Sequence, residues 1–67
     1  MEKVMLKNLK KGEWFTLKPI DEPKENQVFV KGDYIRSDRR YECMRWSDIG
    51  SFRYFPGTKE VYIGFTF

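Results

Sequence analysis

Residues 28–46, which read VFVKGDYIRSDRRYECMRW, decide how this chain folds. β-Branched and aromatic residues are concentrated on both sides of a polar centre, as in two strands joined by a turn. The centre, Ser37-Asp38-Arg39-Arg40, has the small and polar residues that favour a tight reversal of the backbone. The stretch therefore predicts a β-hairpin, around which the rest of the chain is arranged.

The first arm of this hairpin shows a clear alternation of side chains. Val28 and Val30 point to one side and Phe29 and Lys31 to the other, because successive side chains of a strand alternate. Gly32-Asp33 interrupts the arm, but strand character resumes directly after it. Since glycine inside a strand often marks a bulge, we expect a bulge or a sharp bend here rather than the end of the strand.

The second arm, YECMRW, leaves the buried side undecided. One of its faces carries Tyr41, Cys43 and Arg45, and the other carries Glu42, Met44 and Trp46. Both faces mix apolar with charged residues, so alternation alone does not show which of them meets the core. In the next segment, SDIGSF (47–52), capping residues followed by a glycine predict a loop or a short 3₁₀ turn.

Three further segments concern the remaining strands. In EWFTLKPI (13–20), Phe15 and Leu17 point away from Trp14. RYF (53–55) is predicted to be a short strand. KEVYIGFTF (59–67) has a period-two stripe made of Val61, Ile63, Phe65 and Phe67. The opening residues, MEKVMLKNLKKGE (1–13), fit either a short strand or a single helical turn.

Five strands in this order, with almost no helical periodicity, predict an all-β fold. We expect residues 1–67 to form one small domain, a five-stranded antiparallel SH3-like barrel or roll with a short 3₁₀ turn. An OB-type barrel matches less well, because it usually has a helix between its third and fourth strands.

Size and composition restrict both stability and chemistry. A 67-residue chain is short for folding on a hydrophobic core alone, and its single cysteine, Cys43, excludes an intrachain disulfide. Without histidine, neither a Cys/His zinc site nor a Ser-His or Cys-His catalytic pair can be assembled. We therefore expect no metal, no cofactor and no enzymatic activity. Cys43 is expected to pack in or beside a core rich in aromatic residues.

Charge and hydropathy bear on the cellular compartment. The formal net charge of +3 at pH 7 permits weak attraction to polyanions without indicating one. The chain shows no apolar run of signal-peptide length and no segment apolar for long enough to span a bilayer. Together with the lone thiol, which suits a reducing compartment, these features predict a cytoplasmic protein without membrane contact.

Three stretches resemble known sequences. LKKGEWFTLKP (9–19), KGDYIRSDRRYEC (31–43) and KEVYIGFTF (59–67) are similar to a group of short uncharacterised proteins from bacterial phages and mobile elements. The pattern Leu-Lys-x-Gly-Glu-x-Phe at 9–15 also resembles the first turn and strand of many small SH3-like barrels. The resemblance covers most of the chain and implies a bacterial origin and an SH3-like fold, and it assigns no activity to any residue.

One functional hypothesis is nucleic-acid binding. All five arginines of the chain and six of its aromatic residues lie within residues 34–55. Guanidinium groups pair with phosphates and aromatic rings stack on bases, so such a surface suits single-stranded DNA or RNA. The candidate residues are Arg36, Arg39, Arg40, Arg45 and Arg53. In the competing interpretation these arginines form ion pairs with the three acids of the window, Asp38, Glu42 and Asp48, which reduce its net charge to +2.

The other hypothesis, which we favour, is a protein-interaction module. SH3-like barrels commonly use exposed aromatic residues to hold a peptide or a partner surface. The candidates are Trp14, Tyr34, Trp46 and Tyr54, because each combines an aromatic body with a polar group. In the competing interpretation, Trp14 caps one end of the barrel and the other three residues pack in the core. Self-association through such a patch, or through a free edge strand, belongs to the same hypothesis.

Overall fold

A computed structural model describes residues 1–48 and 50–67 of the chain. Strands and two 3₁₀ turns form its regular structure, and no helix in these residues is long and apolar enough to cross a membrane. The strands are β1 (Glu2–Met5), β2 (Trp14–Thr16), β3 (Val28–Ile35), β4 (Arg40–Arg45), β5 (Phe52–Phe55) and β6 (Glu60–Ile63). The 3₁₀ turns cover Leu6–Asn8 and Glu25–Gln27.

All six strands join one antiparallel sheet, in the order β1-β6-β2-β3-β4-β5. The predicted all-β, antiparallel class is confirmed. The described strands number six rather than five, and they form an open sheet with β1 and β5 at its edges instead of a closed barrel. The additional strand comes from the opening residues, which form both structures that their sequence fits. They form β1, where Val4 pairs with Val61, and then a 3₁₀ turn.

The sheet is strongly curled over one face, which we call the inner face. Phe15 lies on β2 and Phe55 on β5, with two strands between them. In a flat sheet these strands would be about 14 Å apart, at about 4.8 Å per strand. The centroids of the two rings are instead 6.4 Å apart. The sheet therefore bends until side chains from distant strands meet.

The hydrophobic core occupies this inner face. Its buried members are Leu6, Leu9, Phe15, Phe29, Cys43 and Val61. The structure also answers the question that the sequence of the second arm leaves open, since β4 turns Tyr41, Cys43 and Arg45 toward the core. Each fully buried large side chain contributes about 1.5–3 kcal/mol. The large rings of the inner face thus provide much of the burial available to a chain without a disulfide.

The predicted hairpin is formed by β3 and β4, with Ile35 and Arg40 as its last pair. The loop 36–39 begins with a turn in which the Asp38 N–H donates to the Ile35 carbonyl at 3.2 Å. It ends at Arg39, whose φ of +55° lies in the left-handed region. The hairpin reverses at the polar centre of the stretch, as the sequence predicts.

The predicted bulge is also present. The register of β3 against β4 shifts between Lys31 and Tyr34, so the strand continues past the irregularity. A Cβ atom on Gly32 would overlap the backbone carbonyl oxygen of Glu42. The close approach of the two backbones at the bulge therefore requires glycine.

The last strand is shorter than predicted. β6 ends at Ile63, and Gly64 follows with a φ of +82°, a conformation that other residues rarely adopt. The period-two stripe predicted for residues 61–67 therefore holds only as far as Ile63. Phe67 lies instead against Trp14, on the side of the sheet opposite Val61.

A tight connection joins β4 to β5. The Arg45 N–H donates to the Ser51 carbonyl at 3.1 Å, and the Ser51 N–H donates to the Asp48 carbonyl at 3.0 Å. The 3₁₀ turn predicted within residues 47–52 includes residue 49, which lies outside the described residues. The two 3₁₀ turns of the described chain lie elsewhere.

Candidate interaction surfaces

The face of the sheet opposite the core, which we call the outer face, carries a row of apolar side chains. Trp14, Val30, Met44 and Phe52 are successive partners across β2, β3, β4 and β5, so their side chains lie side by side. The solvent-facing side of an antiparallel sheet normally carries polar residues. Here Trp14 and Phe52 are exposed while Val30 and Met44 are half-buried. The row is therefore an apolar surface outside the core.

An aromatic cluster of Trp14, Trp46 and Phe67 lies beside this row. The two indole centroids are 4.9 Å apart, and the Phe67 ring stands edge-on at 5.2 Å from Trp14 and 6.1 Å from Trp46. The Thr66 N–H donates to the Asp21 carbonyl at 2.9 Å, which holds the chain next to the cluster. The three side chains nevertheless remain 40%, 42% and 45% exposed. Their mutual packing orients them and leaves ring surface for a partner.

A groove of about 210 Å³ opens on the outer face along the same row. Its lining includes Val30, Met44, Phe52, Asp33 and Glu42. Asp33 is already paired with Lys11, whose Nζ lies 2.8 Å from the carboxylate. Among the described residues, no cation lies within ion-pair distance of Glu42. The groove thus combines apolar walls with one uncompensated carboxylate.

Three of the four predicted partner-binding residues lie on the outer face. Trp14 and Trp46 belong to the aromatic cluster, and Tyr54 lies on the same side of β5 as Phe52. Tyr34 lies apart from them, at the hairpin end of β3. All four are exposed, so the competing interpretation of core packing does not describe them.

Other members of the outer face are not among the sequence predictions. Alternation along the second arm places Met44 on the same side as Trp46, which is a usable signal. The sequence gives no such signal for Phe67, because its position depends on the positive φ of Gly64.

The five arginines predicted to bind nucleic acid lie at three places. Arg36, Arg39 and Arg40 are at the hairpin end of the sheet. Arg45 is at the other end of β4, about 17 Å away at about 3.3 Å per residue. Arg53 is on the edge strand β5, where it pairs with Cys43. The structure brings three arginines together and leaves two apart.

The competing interpretation of the arginines, neutralisation by nearby acids, is not seen in the described chain. Its ion pairs join Lys3 to Glu60 at 3.4 Å and Lys11 to Asp33 at 2.8 Å, and neither involves an arginine. The hairpin guanidinium groups are exposed. They are therefore accessible to an anionic ligand.

A second surface feature, which we call the tyrosine notch, lies beside the hairpin end. It has a volume of about 360 Å³ and is lined by Lys7, Tyr34, Arg39, Tyr41 and the turn 56–58. The Lys7 N–H donates to the Gly57 carbonyl at 3.0 Å. A Cβ on Gly57 would lie 3.1 Å from Lys7 Cβ and 3.2 Å from Tyr41 Cε2, so glycine permits this close packing. None of the lining residues is acidic.

Two ionisable groups lie in the core near the notch. Lys31 Nζ donates to the Leu9 carbonyl and lies 4.2 Å from the centre of the Tyr41 ring, and burial lowers the pKa of Lys31. Cys43 faces Lys31 across the strand pair, and burial raises the pKa of its thiol to about 11. Cys43 packs in the core as predicted. A buried, protonated thiol of this kind is a poor nucleophile and a poor metal ligand.

Comparison of the chain with protein-family models, curated proteins and solved structures finds no match.

Proposed function

We propose that this chain is a non-enzymatic protein-interaction module that binds a partner protein on its outer face. The observation that carries the proposal is the aromatic cluster, in which three large rings pack together outside the core while each stays at least 40% exposed. Tryptophan is enriched among the residues that dominate interface energies, and contiguous exposed apolar surface marks interaction sites. An SH3-like ancestry and an accessory or host-interaction role in a phage or mobile element belong to the same proposal.

The groove indicates what the partner presents. Walls formed by Val30, Met44 and Phe52 suit one aliphatic or aromatic side chain, and Glu42 suits a lysine or arginine next to it. Full burial of one such apolar side chain contributes about 1.5–3 kcal/mol. The expected partner segment therefore carries an apolar and a basic residue close together, with further apolar contact to the aromatic cluster.

Nucleic-acid binding through all five arginines receives less support from the geometry. Arg45 and Arg53 lie away from the hairpin end, so a single strand would not meet the five side chains as one continuous track. At the hairpin end, exposed guanidinium groups lie near the exposed Tyr34 ring.

A peptide array tests the interaction proposal. Short immobilised peptides that vary one apolar and one basic position are probed with the labelled protein, and peptides with both residues should bind best. Phe52→Ser removes one wall of the groove and should weaken binding about tenfold or more, since about 1.4 kcal/mol corresponds to a factor of ten. Thermal unfolding verifies that the variant is folded.

Met5→Ser is the matched control for Phe52→Ser. Met5 and Phe52 are equally exposed, at 41% each, but Met5 lies on the edge strand β1 and outside the groove lining. Equal losses in the two variants, or no selection by the wild-type protein, would overturn the proposal. Light scattering adds a further outcome, because self-association abolished by Phe52→Ser would assign the face to a second copy of this chain.

A further inference from the structure

The tyrosine notch combines positive charge with an accessible aromatic ring. Lys7 and Arg39 reach it from the 3₁₀ turn after β1 and from the hairpin loop, and both are exposed. Tyr34 packs against Tyr41, with ring centroids 4.9 Å apart, and remains 48% exposed. The ammonium of Lys31 lies 4.2 Å from the centre of the Tyr41 ring, but it is buried and does not line the notch. These features suit an anion that also carries a flat ring.

The backbone at Arg39 is an independent observation in the same place. Its φ of +55° is the only positive value at a non-glycine residue in the described chain. Glycine adopts this conformation freely because it lacks a Cβ, and asparagine does so more easily than arginine because its short polar side chain can hydrogen-bond locally. Such a local cost is commonly found where a side chain has a binding role. Arg39 lines the notch, so the residue with the unfavourable backbone conformation is also the one that supplies a guanidinium group to the notch.

We propose that the tyrosine notch binds one nucleotide unit of a single-stranded nucleic acid, with its two flanking phosphates on Lys7 and Arg39 and the base against Tyr34. Single-strand binders combine cations along the backbone with rings on which bases stack. A free phosphate would use the cations without the ring, and a duplex hides the faces of its bases. The notch shares no lining residue with the outer-face groove, so this function is separate from protein binding.

The salt dependence of binding to a labelled oligothymidylate tests the inference. Each phosphate contact on a single strand contributes about −0.7 to the slope of log K against log salt, so two contacts give about −1.4. The wild-type protein should bind at low salt and lose affinity with this slope. Absence of binding at low salt would overturn the proposal.

Two variants separate the charge contribution from the ring contribution. Arg39→Gly removes one cation and relieves the backbone, so the slope should fall to about −0.7 while the melting temperature stays the same or rises. Tyr34→Ala should weaken binding by at least about fivefold and leave the slope unchanged, because it removes stacking but no charge. A slope unchanged in Arg39→Gly would contradict the assigned phosphate contact.

Arg53→Ala is the matched control, since it removes the same charge from the edge strand β5. This variant should leave both the salt slope and the affinity near the wild-type values. An effect equal to that of Arg39→Gly would mean that the oligonucleotide responds only to the overall charge of the protein, and would overturn the proposed site in the notch. Tighter binding of a phosphotyrosyl peptide than of the oligonucleotide at the same salt would overturn the nucleic-acid assignment. Phe52→Ser should bind the oligonucleotide normally, which keeps failure of this inference distinct from failure of the protein-interaction proposal.

Discussion

Lys31 is a charged residue that lies buried in the core. It is 5% exposed on the inner face, and its ammonium is compensated by the Leu9 carbonyl and the Tyr41 ring. Its Nζ has no carboxylate within ion-pair distance among the described residues. A buried charge is tolerated when hydrogen bonds replace its hydration, and here one carbonyl and one π face do so.

This burial makes stability depend on pH. Because burial lowers the pKa of Lys31 below its usual 10.5, the unfolded chain binds more protons than the folded chain between the two values. The contribution of Lys31 to the free energy of unfolding should therefore rise with pH across that window and be lost as pH falls through the lowered pKa. Urea unfolding, followed by tryptophan fluorescence at several pH values, should show this rise in the wild type relative to Lys31→Met.

The difference between the two proteins is the informative quantity, because every other titrating group contributes to both. Curves that stay parallel from neutral to alkaline pH would show that the pKa of Lys31 is the same in the folded and unfolded states.

Cys43 shows the opposite shift. Burial raises its pKa from 9.0 to about 11, so below pH 9 its thiolate is roughly a hundred times rarer than in the unfolded chain. A disulfide reagent such as Ellman's should therefore modify the native protein very slowly and the urea-unfolded protein rapidly. Ser37→Cys in a Cys43→Ala background places a thiol in the exposed hairpin loop and should react at once. Equally fast reaction of native Cys43 would contradict its burial.

At the scale of elements, the bulge in β3 shows how one residue type shapes the hairpin. The register shift brings Gly32 against the backbone of Glu42. Bulges bend a strand and increase its twist. The long strand β3 can therefore follow the curl of the sheet over its inner face.

Gly32→Ala tests this dependence on glycine. The added Cβ collides with the Glu42 carbonyl, so the free energy of unfolding should fall by about 1–3 kcal/mol. Asp33→Ala, at the neighbouring position, loses only an exposed ion pair with Lys11 and should stay within about 0.5 kcal/mol of the wild type. Urea unfolding measures both changes, and equal midpoints would mean that the bulge relaxes around a methyl group.

Alternation of side chains predicts the strands better than it predicts their ends. The hairpin and the placement of Phe15 opposite Trp14 follow from local period-two patterns, and the bulge follows from the glycine within the strand. The opening segment is ambiguous because its strand forms only by pairing with β6, which is distant from it in the sequence. β6 ends where Gly64 adopts a positive φ. Glycine permits this conformation but does not require it, so the sequence does not predict where β6 ends.

The candidate surfaces are likewise only partly predictable from the sequence. Trp14 is identifiable because alternation separates it from the apolar Phe15 and Leu17, and Trp46 is identifiable only as an aromatic residue with a polar group. Lys7 joins the tyrosine notch only because a turn between β5 and β6 packs beside it, a contact with no local signature. The sequence predicts a surface formed by five arginines. The tyrosine notch differs from it because long-range contacts of this kind form the notch.

At the scale of the whole molecule, one curled sheet offers two surfaces of different chemistry. The outer face is apolar with an uncompensated carboxylate, and the tyrosine notch is basic with an exposed phenol. They have no lining residue in common, although they adjoin where Asp33 precedes Tyr34 and where Tyr41 precedes Glu42. The two proposed functions therefore use different residues of the same sheet.

The pairing of β1 with β6 also sets the order in which the molecule is completed. Glu2 pairs with Ile63, so β1 has no partner until β6 is synthesised. At about 5–20 residues per second, a ribosome leaves β1 single for roughly 3–12 s. Before β6 is synthesised, β1 and β2 lack the strand that joins them, and a product interrupted at that point cannot form the complete sheet.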